Sequence, residues 1–187
     1  MTRIVAGALG GRRISAPPGA ATRPTSDRVR EALFSTLEAM TDLAGARFAD
    51  LYAGSGAVGL EALSRGAEHA LLVESDARAA RVIRDNIVAL RASPAARLVI
   101  GKVPHVLAGG PDDGPYDIVF ADPPYSVPDA QLTATLAALV DGGWLAADAV
   151  VVVERSSRTG PVTWVEGITG GRSRRYGETT LWYGRRS

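Results

Sequence analysis

The stretch Asp50-Leu51-Tyr52-Ala53-Gly54-Ser55-Gly56-Ala57-Val58-Gly59 decides the fold. An apolar run over residues 47–52 leads into it, and a helical pattern over 58–65 leads out. Gly54, Gly56 and Gly59 therefore occupy a strand–turn–helix junction, the setting that gives the spacing GxGxxG its meaning. Glycine there lets the backbone turn tightly and lets a ligand approach where a Cβ would collide. Outward from this junction, short apolar runs at 69–74, 97–100, 117–121 and 149–154 alternate with helical patterns at 77–90 and 130–140 and a short turn near 102–107. Such alternation predicts an α/β fold, a mostly parallel sheet with helices on both faces. The segments 162–168 and 179–183 lack an intervening helix and predict an antiparallel hairpin at the C-terminal end. Upstream, residues 3–14 around Gly10-Gly11 predict a small N-terminal β-hairpin extension, and the Pro/Gly/Ser-rich residues 15–26 read as a linker. Val29, Ala32, Leu33, Leu37 and Met40 follow helical spacing, with Ser26 or Asp27 as N-cap.

Glu74 lies twenty residues after Gly54 and ends the second strand of the sheet, where its carboxylate can accept from both hydroxyls of a ribose. At this point a dinucleotide and S-adenosylmethionine both remain open. Asp50, four residues before the first glycine, bears on the choice: its charge would repel a pyrophosphate and suits the ammonium of a methionine moiety. Asp50, Glu74 and Asp76 together make acidic surroundings that suit a sulfonium.

The run 117–121 passes directly into Asp122-Pro123-Pro124-Tyr125. In an open parallel sheet the fourth strand lies beside the first, and ligands sit where the strand order reverses. Asp122 and Tyr125 are thus expected beside the glycine loop. The exocyclic amine of a nucleobase is a poor nucleophile, because its lone pair is delocalised into the ring. Accepting its two N–H bonds, with the Asp122 carboxylate and the Pro123 carbonyl, aims the nitrogen at an electrophilic methyl and favours the charge that develops on it. Tyr125 offers a face on which an extruded base can stack.

Charge is segregated along the 187 residues, whose formal net charge is +1. Residues 1–30 sum to +5, residues 31–154 to −9 and residues 155–187 to +5. An acidic middle with basic ends fits a cationic small molecule held centrally and a polyanion held peripherally. The chain has no cysteine and two histidines, His69 and His105, so thiolate chemistry is excluded and no metal centre is expected. No apolar run approaches the ~20 residues of a membrane span, and the first residues lack a signal-peptide core. A cytoplasmic protein without a membrane partner is expected.

The glycine loop and the Asp-Pro-Pro-Tyr segment together resemble the Rossmann-like, S-adenosylmethionine-dependent amino methyltransferases of nucleic-acid bases. Further residues narrow the resemblance. Arg3-Ile4-Val5-Ala6-Gly7, Gly11-Arg12, Arg23-Pro24-Thr25, Asp27-Arg28-Val29-Arg30-Glu31 and Leu33-Phe34 look like the N-terminal signature of bacterial 16S ribosomal RNA guanine-N2 methyltransferases, which modify guanine 966 in the standard 16S numbering. Gly59-Leu60-Glu61-Ala62 and Tyr176-Gly177-Glu178-Thr179 fit the same family. The resemblance implies methylation of a guanine N2 in 16S ribosomal RNA by direct transfer from S-adenosylmethionine. It implies a cofactor site of Asp50, Ala53, Gly54, Gly56, Glu74 and Ser75, and a base site of Asp122, Pro123, Pro124 and Tyr125. It divides the chain into an RNA-contacting hairpin and linker at 1–25 and a methyltransferase domain at 26–187. Arg3, Arg12, Arg13, Arg23, Arg28 and Arg30 would contact RNA, with the small ribosomal subunit as the substrate context. Separately from the resemblance, a monomer is taken as the expected form. The loop after the third strand, Ile100-Gly101-Lys102-Val103-Pro104, departs from relatives that carry Asp or Asn there. Adenine recognition then falls to backbone atoms near Lys102 and Val103.

Two other readings stay open on the sequence: an amino methyltransferase of adenine N6 in DNA or of another RNA, and a non-catalytic RNA-binding assembly module. Arg172, Arg174 and Arg175, beside Tyr176, form a second basic patch. His105, Trp144, Trp164 and Trp182 are expected to be structural.

Overall fold

The structure, a computed structural model, describes residues 2–18 and 25–187; Arg23 lies outside the described residues. Two short strands, β1 (Thr2–Arg3) and β2 (Arg13–Ile14), pair antiparallel as the N-terminal hairpin. Helix α1 (Asp27–Met40) starts where Ser26 caps it, its hydroxyl accepting from the Val29 amide at 3.2 Å. There follow β3 (Arg47–Leu51), α2 (Ala57–Ser64), β4 (His69–Glu74), α3 (Ala77–Ala89), β5 (Ala96–Ile100), α4 (Val103–Ala108), β6 (Tyr116–Ala121), α5 (Asp129–Asp141), β7 (Leu145–Ser156), β8 (Ile168–Tyr176) and β9 (Thr179–Arg186).

The main sheet has seven strands in the order β5-β4-β3-β6-β7-β9-β8. The first five run parallel, and β9 joins β7 antiparallel with β8 outside it. Strand order reverses between β3 and β6, so the crevice lies where the glycine loop and the Asp122 segment emerge. The expected Rossmann-like methyltransferase sheet, mostly parallel with an antiparallel C-terminal hairpin, is what the structure shows.

Helices cover both faces. Leu107 of α4 and Leu132, Leu136 and Leu139 of α5 pack on Ala49, Val119, Val151 and neighbours. On the other face Leu33, Phe34 and Leu37 of α1 meet Phe48, Phe120 and Val152. Burying each of these large side chains stabilises the fold by about 1.5–3 kcal/mol. α2 and α3 share a third cluster, through Leu60, Ile83 and Ile87, with Ile4 and Ile14 of the N-terminal hairpin.

One acidic residue holds that hairpin in place. Glu61, wholly buried in α2, accepts the amides of Val5 at 2.8 Å and Ala6 at 3.0 Å through its two oxygens. The same carboxylate faces Arg30 Nε at 3.3 Å and Arg65 Nε at 2.9 Å. Arg30 also donates to Asp27 at 2.9 Å and to the Arg3 carbonyl, and it has no exposed surface. This corrects the expectation that Arg30 touches RNA. Its charge is consumed internally by Glu61 and Asp27, and its side chain cannot reach a phosphate.

The outer strand of the C-terminal hairpin also differs from expectation. It spans Ile168–Tyr176 rather than residues 162–168. Apolar alternation cannot mark it, because Thr169 to Arg175 are exposed on both faces. The apolar residues Val162, Trp164 and Val165 instead pack against the core without strand pairing. Arg172, Arg174 and Arg175 are exposed on β8. Trp144 is buried and donates to the Leu107 carbonyl at 3.0 Å, while Trp182 packs against the same core.

Candidate active site

The loop after β3 adopts conformations that its glycines permit. Gly54 and Gly56 have φ of +60° and +83°, in the left-handed region that side chains disfavour. Gly59 serves packing instead. A Cβ there would stand 2.2 Å from Leu72 Cδ2, so its absence lets α2 lie against β4. Its amide donates to Asp50 Oδ2 at 3.0 Å. Glu74 closes the other side of the loop, accepting from Gly54 N at 2.7 Å and from Asp76 N at 2.9 Å.

Asp50 is 1% exposed, and burial pushes its carboxyl up to about 8, with Glu74 and Glu154 adding to the rise and the Gly59 amide opposing it. A buried acid that, among the described residues, accepts one hydrogen bond and faces no cation is suited to an ammonium brought by a ligand.

Asp122 follows β6 and is half-buried; Pro123 is buried, and Pro124 and Tyr125 are exposed, Tyr125 to 61%. The Pro124 carbonyl accepts from Val127 N at 2.9 Å, which closes a turn. Burial, then the charges of Glu154 and Asp50, raise the Asp122 carboxyl well above the usual carboxylate range, and Arg155 opposes them.

A cavity of about 680 Å³ collects most of these groups, with Pro123 and Tyr125 outside its lining. Its lining includes Asp50, Ala53, Gly54, Glu74 and Ser75 from the cofactor set, Gly101, Lys102 and Val103 from the loop before α4, and Asp122 and Pro124 from the base set. The volume is that of an ordinary small-molecule site. Gly56 lies at the N-cap of α2, behind the lining. The chemistry of the wall fits S-adenosylmethionine: an acidic pocket for the ammonium at Asp50, a carboxylate for the ribose at Glu74, and the loop 101–104 where an adenine would lie. Lys102 is exposed and Val103 is buried, so that loop offers backbone rather than a carboxamide or carboxylate.

Sequence reasoning left several lining residues unassigned, among them Thr25, Tyr52, Val127 and Gln131. It also left Glu154, which lies in the buried run of β7 near its carboxyl end and hydrogen-bonds with Asp122. The signal for Glu154 was its position at the carboxyl end of the strand neighbouring β6.

Of the arginines expected at RNA, Arg3, Arg12, Arg13 and Arg28 are exposed. Arg3 faces Asp27 at 3.4 Å, and Arg12 donates to the Ala89 carbonyl at 2.7 Å. Among the described residues no helix is long and apolar enough to cross a membrane, and no group of His, Asp and Glu is arranged to hold a metal.

Comparison with known proteins adds to this geometry. Ribosomal RNA small subunit methyltransferase D of Escherichia coli is 39% identical over 166 residues, covering 87% of this chain and 80% of its own. The protein of the same name from Haemophilus influenzae is 35% identical over 153 residues, covering 81% and 77%. Among solved structures, one from Escherichia coli named "Putative methyltransferase yhhF" superposes with a TM-score of 0.85 at 35% identity, covering 99% of this chain and 97% of that one. With residues 2–185 matched by the family model described as conserved hypothetical protein 95, the chain belongs to that family.

Proposed function

We propose that the protein methylates the exocyclic N2 amino group of a guanine in 16S ribosomal RNA, using S-adenosylmethionine. The observation that carries this reading is the shared cavity: Asp122 and Pro124 face the same space as Asp50, Gly54 and Glu74. The names of the curated relatives, ribosomal RNA small subunit methyltransferase D, support a ribosomal RNA substrate, and with the fold they support a methyltransferase.

S-adenosylmethionine supplies an electrophilic methyl on a sulfonium. Asp50 balances its ammonium and Glu74 accepts from its ribose. The Asp122 carboxylate and the Pro123 carbonyl accept from the guanine amine, which points the nitrogen lone pair at the methyl. The nitrogen–carbon bond forms as the carbon–sulfur bond breaks, and the electron pair leaves with sulfur. The surplus amine proton then passes to Asp122 or to water. Tyr125, exposed beside Pro124, gives the extruded base a stacking face. Arg3, Arg12, Arg13 and Arg28 hold the phosphate backbone, with the small subunit as substrate and a cytoplasmic monomer as the acting form.

The test offers methyl-labelled cofactor with small subunits, free 16S RNA and duplex DNA, followed by mass analysis of nucleosides. N2-methylguanosine from either ribosomal substrate is expected; N6-methyladenine from DNA would overturn the reading. Asp122→Ala should abolish transfer while calorimetry still detects cofactor binding. An RNA-assembly function indifferent to Asp122→Ala, with no transfer by the parent protein, would mark a non-catalytic module.

A further inference from the structure

Asp122 sits in a loop that cannot hold its own carboxyl. An aspartate in a turn ordinarily accepts from an amide one or two residues on, but Pro123 and Pro124 have no N–H to give. A neighbouring strand supplies the missing contact. β6 and β7 run parallel with Ala121 opposite Val153, so one further step brings Asp122 and Glu154 side by side. Their carboxyl groups hydrogen-bond to each other, and two carboxyls in that contact require a proton between them.

Glu154 is built to stay where it is. It is 8% exposed and stands outside the cavity lining, beside Asp122 on the neighbouring strand. Thr25 Oγ1 donates to its Oε2 at 3.2 Å, and the hydroxyl of Thr179, on the adjoining β9, bonds to it as well. The other charges facing the pair are Asp50, which acts with Glu154 on Asp122, and Arg155, which acts against it. Arg155 is itself turned to the Val127 carbonyl at 3.2 Å and to Asp129 at 3.1 Å.

We propose that Glu154 is a positioning residue for the transfer: it clamps the Asp122 carboxyl, through one shared proton, in the orientation that meets the substrate amine. The inference rests on the methyl-transfer reading. When the shared proton lies on Glu154, Asp122 is an acceptor, and Glu154 fixes its direction. Burial raises both carboxyls, which favours a proton held between them.

Three proteins test this: the parent, Glu154→Gln and Glu154→Ala. Glutamine can still donate to Asp122 and should keep kcat within about threefold, whereas alanine should lower it by about a hundredfold, the range of a lost acid–base partner. Affinity for S-adenosylmethionine by calorimetry should stay within about threefold in both, a change under 1 kcal/mol. In protein without RNA, carbon-13 titration of the Asp122 carboxyl should show its midpoint falling in both variants, because the neighbouring carboxyl that raises it is gone. A midpoint unmoved in Glu154→Gln overturns the shared proton, and equal kcat in all three proteins overturns the clamp. If Glu154→Ala fails to fold, Glu154→Gln with an Asp122→Asn control decides through the same titration. Absence of transfer by the parent protein would fell the methyl-transfer reading, and the titration would still judge the pair.

Discussion

Gly54 and Glu74 are joined by a 2.7 Å hydrogen bond in which the loop amide donates to the carboxylate that ends β4. One side chain thereby fixes the glycine loop, and in the proposed function its remaining lone pairs accept from a ribose. Replacing Glu74 by alanine should weaken cofactor binding by about ten- to a hundredfold, the cost of losing charge-assisted hydrogen bonds. Glu74→Gln should lose less, since it still accepts. Calorimetric affinity equal to the parent's in Glu74→Ala would remove the ribose assignment.

Asp50 offers a different measurement. Its folded-state carboxyl is raised to about 8, so the folded chain holds a proton that the unfolded chain releases at a lower pH. Stability without cofactor should therefore decline as pH rises from the ordinary carboxylate range toward 8. An ammonium seated against Asp50 favours its ionised form and expels that proton. Binding heats at pH 7 in buffers of differing ionisation enthalpy should show up to about one proton released, and none in Asp50→Asn. A parent protein that releases none would separate Asp50 from the ammonium.

Gly59→Ala places a methyl 2.2 Å from Leu72 Cδ2 and 3.4 Å from Asp50. Overpacking of this kind costs about 1–3 kcal/mol. A thermal midpoint lowered by several degrees is expected, with weaker cofactor binding as Asp50 is displaced. Wild-type stability would show that Leu72 yields freely.

Glu61→Ala should be the most destabilising of these changes. It strands the Val5 and Ala6 amides and leaves the buried Arg30 with only its bonds to Asp27 and the Arg3 carbonyl. Breaking a buried ion pair costs about 3–5 kcal/mol. Urea unfolding should register that loss, and protease sensitivity should rise first within residues 2–15. A loss below about 1 kcal/mol would contradict the role assigned to this carboxylate.

Arg13 and Arg28 are exposed. If each meets a phosphate, single alanine substitutions should weaken RNA binding and reduce the slope of log affinity against log salt by about one each. An unchanged slope would place the RNA elsewhere.

The features readable in the sequence were those whose chemistry is local. Three glycines, a terminal carboxylate and an Asp-Pro-Pro-Tyr segment announce a strand–turn–helix site through spacing alone, and the sheet followed from the alternation around them. Arg30 misled because burial of a guanidinium depends on Glu61, thirty-one residues away in another helix, and nothing in its own neighbourhood reveals that partner. β8 escaped detection because both of its faces are wet, so no periodicity marks it. Glu154 needed strand order as well as sequence, since its meaning comes from standing beside Asp122.

The same wet outer strand bears on how copies of the protein behave together. β8 ends the sheet with backbone groups unpaired on its free side, the geometry that invites one molecule to zip onto the next. Arg172, Arg174 and Arg175 line that border with like charge, so two such borders repel before their ladders can join.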